Sequence, residues 1–228
     1  MDNAFDLKAG QAMTIDMPLD DTDSGPEAAE NLKAVAVALF AERGVDGVTL
    51  RQIADAAGQK NHATVGYHFG SKEALVRAVV VHGAKLIDEL RNQMLNEMEA
   101  HGGPTALDEI TAVLVRSSLV PSNPPWSDCY NRFIVMLQLT NYPLFMDALE
   151  GRWNSGYLRC QNHIRALLAD IPFRQVNRRL VLMGGAMAGI IAARERELAD
   201  ASRDHPMWKS ERTIESIAGA LAAILVTG

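Results

Sequence analysis

Cysteine is nearly absent. The chain holds only Cys129 and Cys160, too few for a disulfide framework, so both read as reduced thiols and the expected location is cytoplasmic. Proline is sparse and falls mostly at segment edges, leaving long stretches free to be helix. No run of alternating β-branched residues argues for a sheet. No hydrophobic stretch reaches membrane length: the longest, 180–193, has 14 residues, against the roughly 20 that a span needs. The first residues are acidic and lack a basic-then-apolar pattern, so no signal peptide and no membrane partner are expected. Also missing are a G-x-S-x-G elbow, an H-E-x-x-H pair and a Cys/His ligand cluster. No catalytic residue, metal or cofactor is therefore expected.

Positive charge is lacking too. The net charge of −6 argues, taken alone, against a nucleic-acid partner. Its distribution argues otherwise. Residues 1–26 carry six Asp and one Lys, a local −5, and read as an acidic tail expected to be disordered. Residues 27–85 carry seven basic and six acidic side chains, a local +1.

What is present is helical periodicity. Leu32, Val35, Ala36, Leu39 and Phe40 predict one buried face of a first helix, opened by Pro26 and ended by Gly44. Thr49 with Gln52 predicts a capping box for a second, and Val48 with Ile53 its hydrophobic staple. Gly58 ends that helix. A third is expected from about Asn61 to Phe69. Ser71 should cap a long fourth, running to Met98. After a break at 101–105, where Thr105 and Asp108 suit a cap, and another at 120–126, helices are expected at about 127–141, 144–169, 173–199 and 211–226. The segment 201–210 reads as a loop. The fold class is all-α: a small N-terminal trio, then a larger helical body.

The stretch "GYHFGSK" resembles a phosphate-binding loop at first sight. Gly66 and Gly70 bracket three residues instead of four, the order is Ser71-Lys72, and a helical pattern precedes it in place of a strand. A braced pair of short helices is instead the layout of a helix-turn-helix, whose second helix enters the major groove. Asn61, His62, Thr64 and His68 can bond to base edges, and Ala63 and the Thr64 methyl can touch thymine methyls. Gly66 is costly inside a helix. Close approach to DNA or tight helix packing would each explain it. Thr49, Arg51, Lys60, Tyr67 and Lys72 are candidates for the phosphates, beside the free amides after Thr49 and Ser71. Ordinary caps and solvated charges are the alternative for any one of them.

The motifs "ALFAERGVDGVTLRQIADAAG" and "YHFGSKEAL" resemble the TetR family of bacterial transcriptional regulators over about residues 30–80. The resemblance implies an all-α homodimer that binds double-stranded DNA and is released by a small molecule. It implies that Thr49 and Lys72 contact the DNA backbone and that Phe69 is a core aromatic. Two departures stand out. One more residue separates Gly58 from Phe69 than is usual in the family, and Gly66 stands where a tyrosine is frequent, with Tyr67 one later. Domains then follow as 1–26, the tail; 27–72, the DNA-binding unit, with the helix from 71 linking onward; and 73–228, a ligand-binding and dimerisation body.

In that body, "GGAMAGIIAA" and "IAGALAAIL" are rich in small residues. Plain core packing and a dimer interface through about 173–226 both fit. Tyr130, Phe133, Met136, Leu137 and Thr140, then Phe145, Leu149 and Trp153, form apolar stripes near Asn141, Cys129 and His163. Such stripes are usually core, but they leave room for an unidentified apolar effector with a polar handle. The function expected is a repressor on a near-palindromic operator. The alternative is a helical small-molecule-binding enzyme with a merely structural trio.

Overall fold

The computed structural model describes residues 25–119 and 128–227, which form helices with no strand among them. Most of the acidic segment and the break at 120–126 lie outside the described residues. Helix α1 (Pro26–Arg43) has proline in its first turn and ends at Gly44, where φ is 71°. Helices α2 (Leu50–Ala56) and α3 (Thr64–Phe69) pack against it, and α4 (Lys72–Ala100) leads into the body. The body comprises α5 (Leu107–Ser118), α6 (Tyr130–Thr140), α7 (Tyr142–Leu149), α8 (Ser155–Leu167), α9 (Phe173–Ala199), the short α10 (Pro206–Lys209) and α11 (Glu211–Thr227).

Local chemistry explains most boundaries. The Gln52 amide N–H donates to the Thr49 hydroxyl at 3.2 Å, and the Thr49 N–H donates to the Gln52 side chain at 2.8 Å, closing the expected box. Val48 and Ile53 are fully buried beneath it. The Ser71 hydroxyl accepts from the Ala74 N–H at 3.1 Å and starts α4. Three expectations need correcting. α5 is capped by Glu109, whose carboxylate accepts from the Thr105 and Ala106 amides at 2.7 and 3.2 Å, in place of a Thr105–Asp108 cap. The single helix expected over 144–169 is two, because Glu150 (φ 49°), Gly151 (φ 69°) and Trp153 (φ 60°) turn left-handed between them. Within the expected loop 201–210, Pro206 opens the short α10.

Two apolar cores result. The first joins the trio and the start of α4 to α6 and α7, with Phe40 and Phe133 stacked at 5.8 Å between ring centroids. The second gathers α5, α8, α9 and α11 around Leu95 of α4. Buried polar ties hold it: the Thr111 hydroxyl donates to the Ala218 carbonyl at 2.8 Å, and Arg179 donates to that of Leu225 at 3.0 Å. Burying such groups without partners would cost about 1–3 kcal/mol each. Helix α9 is long and apolar enough, by length and composition alone, to cross a membrane, and most of its apolar stretch is not buried within the chain.

Candidate nucleic-acid interface and a neighbouring cavity

The turn between α2 and α3 is built by Gly58, whose φ is 71°, and by Asn61. The Asn61 side-chain oxygen accepts from the Ala63 N–H at 2.9 Å. Its carbonyl accepts from the Thr64 N–H at 3.1 Å and the Thr64 hydroxyl at 2.6 Å. Helix α3 therefore starts three residues later than the sequence predicts. Thr64 is the clear correction among the base-reading candidates: it has no exposed surface, and its hydroxyl is already committed.

The side of α3 left open carries His62, Ala63, Gly66 and Tyr67, the last 63% exposed. The imidazole Nε2 of His62 lies 2.5 Å from the Asp55 carboxylate, which steers the ring. His68 and Phe69 are partly buried, Phe69 against the trio's core. At Gly66 a methyl group would meet nothing within 4 Å, so tight packing inside the chain does not account for the glycine.

The phosphate candidates divide. Arg51 is well exposed and Lys60 is exposed, in reach of an external anion. Thr49 is exposed, but its hydroxyl serves the cap. Lys72 is drawn down onto the loop before α2, its Nζ donating to the carbonyls of Val45 at 3.0 Å and Val48 at 3.1 Å.

A cavity of about 460 Å³ opens among α4, α6, α7 and α9. Tyr130, Phe145, Leu149 and Trp153 line it, as the stripes suggest. The other expected residues do not. Phe133 and Leu137 are buried in the first core, on the face of α6 that meets the trio. Met136 lines a smaller groove, of about 290 Å³, beside Ala41 of α1. Thr140 is exposed, and its hydroxyl donates to the Met136 carbonyl at 2.8 Å. Asn141 caps α7 through the Leu144 N–H. Cys129 packs in the first core and Cys160 in the second, and burial pushes each thiol up to about 11. His163 bonds to Glu99 at 2.8 Å on the α4–α8 surface.

The cavity wall on α6 is instead Asn131, Ile134, Val135 and Gln138, facing Met187 and Ile191 of α9 and Ile87 and Arg91 of α4. Helical periodicity supports either face of α6. Only the docking of the trio on one side leaves the other for the cavity. Tyr130 spans both: its ring sits where Gly83 has no side chain, and its hydroxyl donates to the Val80 carbonyl at 2.9 Å. Glu195 of α9 accepts from the Asn131 and Arg132 amides at 3.0 and 2.8 Å, holding the start of α6. Among the described residues no His, Cys, Asp and Glu cluster suits a metal ion.

Residues 32–79 match the family model for bacterial regulatory proteins, tetR family. Over 130 residues the chain is 35% identical to an HTH-type transcriptional repressor of Mycobacterium tuberculosis. That match covers 57% of this chain and 62% of the relative, so the chain spans less than two thirds of the relative's length. In fold, the chain is similar to a transcriptional regulator from Rhodococcus sp. Rha1 (TM-score 0.54, 17% identity, 88% of this chain and 97% of that one). It is also similar to a putative transcriptional regulator from Saccharomonospora viridis in complex with choline (TM-score 0.53, 17% identity, 90% and 98%). These relatives carry the names of transcriptional regulators, and none of those names speaks for the enzyme alternative. Residues 32–79, which hold the helix-turn-helix, are thus the part of the chain that the tetR family of bacterial regulatory proteins accounts for.

Proposed function

We propose that the chain represses transcription as a homodimer on a near-palindromic operator and is released when a small, largely apolar molecule enters the cavity. The observation that carries this reading is the open strip of α3: small or hydrogen-bonding side chains with no partner helix over them, on a helix pinned from behind by Val65 and Phe69. Such a strip suits base edges. Arg51, Lys60 and the first amides of α2 and α4 suit the flanking phosphates. Residues 27–72 would then read DNA, and 73–228 would bind the effector and dimerise.

The dimer reading rests on what α9 and α11 leave uncovered. Phe173, Val181, Leu182 and Val226 are 65%, 75%, 52% and 55% exposed. Added methyl groups at Gly185, Gly189 and Gly219 would touch nothing, so these small residues are not spent on packing within the chain. A second copy covering this face would explain α9 without a bilayer and would set two α3 helices about one DNA turn apart.

The test is a gel shift with DNA fragments flanking the protein's own gene. A shift at low salt that weakens steeply as salt rises is expected. Absence of any shift across those fragments would overturn the proposal.

A further inference from the structure

Arg91 is 7% exposed and lines the cavity. Its Nε donates to the Ser117 hydroxyl at 2.9 Å and one Nη to the Ser118 hydroxyl at 3.2 Å. Both partners are neutral. The carboxylate nearest along α4, Asp88, is taken up elsewhere: its oxygens accept from the Ser155 hydroxyl at 2.7 Å and the Gly156 N–H at 2.8 Å. No ion pair reaches Arg91 among the described residues, and a guanidinium keeps its charge when buried. A buried cation whose direct partners are all neutral is costly to the fold, and the Asp88 carboxylate one turn earlier on α4 offsets only part of that cost. A second donor stands on the wall of the same cavity. The indole N–H of Trp153 is buried and has no hydrogen-bond partner, and the residue sits at a left-handed φ of 60°. Aliphatic and aromatic walls from Ile134, Phe145 and Met187 surround the remaining space.

We infer that the effector is an apolar molecule bearing one oxyanion head, a carboxylate or a phosphate, recognised by the Arg91 guanidinium and the Trp153 indole N–H. The inference rests on the cavity being the effector site. An anionic head gives Arg91 a directly bonded charge in place of neutral partners and Trp153 an acceptor, and a charge-assisted bond is the stronger kind. A neutral effector would leave Arg91 with neutral direct partners only. A cationic one would add to the charge.

Isothermal titration calorimetry on the full chain tests this with decanoate, decyl phosphate, decanamide and decylammonium. Decanoate or decyl phosphate should bind at least tenfold more tightly than decanamide, and decylammonium should not bind. The stronger of the two anions names the head. Trp153→Phe keeps the ring and loses the donor, and should weaken the anion about tenfold, as for one hydrogen bond to a charged group. Arg91→Lys keeps the charge and should keep the preference for the anion, while Arg91→Gln should bring anion and amide to similar affinity. Equal binding of decanoate and decanamide by the unaltered chain would overturn the anionic head and leave the effector cavity standing. Silence from all four probes would count against both.

Discussion

At Thr64 the hydroxyl is bonded to the Asn61 carbonyl inside the turn, and none of the side chain reaches solvent. Thr64→Ala should therefore cost about 1 kcal/mol of stability for the lost buried hydrogen bond and leave base preference unchanged. Denaturant unfolding and operator selection read the two effects, and a changed preferred operator would show that Thr64 turns outward on DNA. His62→Ala, at an exposed position of the same segment, should alter base preference instead. Gly66 gives a second separation. With open space where its side chain would be, Gly66→Ala should stabilise the chain by about 0.5–1 kcal/mol through helix propensity. On DNA the added methyl stands on the open face, so operator affinity should fall. A variant both more stable and equally tight on DNA would mean that the α3 backbone does not approach the bases at this point. His82 responds to pH. Burial, then the Lys33 ammonium 3.1 Å from its ring, hold its pKa below the usual 6.5. The unfolded chain then takes the proton first on acidification, so stability is lost as pH falls from neutrality through 6.5 toward the folded value and is constant below it. Melting temperature against pH should fall less for His82→Gln over that window, and an identical fall would remove His82 as its source.

The helices of the trio were legible because their signals are local. A capping box needs only Thr49 and Gln52 three apart, and the staple only Val48 and Ile53 around it. The start of α3 was not legible, since it depends on the Asn61 side chain folding back onto the Ala63 amide. Nor was the break between α7 and α8, where a glutamate and a tryptophan adopt positive φ and only Gly151 hints at a turn. The cavity was half legible. Phe145, Leu149 and Trp153 face it, but α6 is apolar on two sides, and no periodicity says that Phe133 meets Phe40 while Ile134 meets open space. Arg91 is not legible in the sequence, because a single arginine on an amphipathic helix usually reads as surface charge. Its position opposite the α5 serines arises only from packing.

For the whole molecule, the proposed dimer rests on the uncovered face of α9. Val181 is 75% exposed, so Val181→Asp should change the stability of one chain by no more than about 0.5 kcal/mol. Sedimentation at micromolar concentration should show a dimer for the unaltered chain and a monomer for the variant, and operator affinity should drop with it. An unaltered chain that sediments as a monomer would sink the interface. Tyr130 ties these scales together. Its ring borders the cavity on one side and on the other fills the notch that Gly83 leaves in α4, the helix rising from the trio. If an effector in the cavity releases DNA as proposed, that notch would set the resting position of the ring. A methyl there would lie about 2.2 Å from the ring and force it aside. Gly83→Ala should thus act as a constitutive mutation: at a cost of about 1–3 kcal/mol for overpacking, the chain should lose its operator with no effector present, which a gel shift beside a melting curve can distinguish from unfolding.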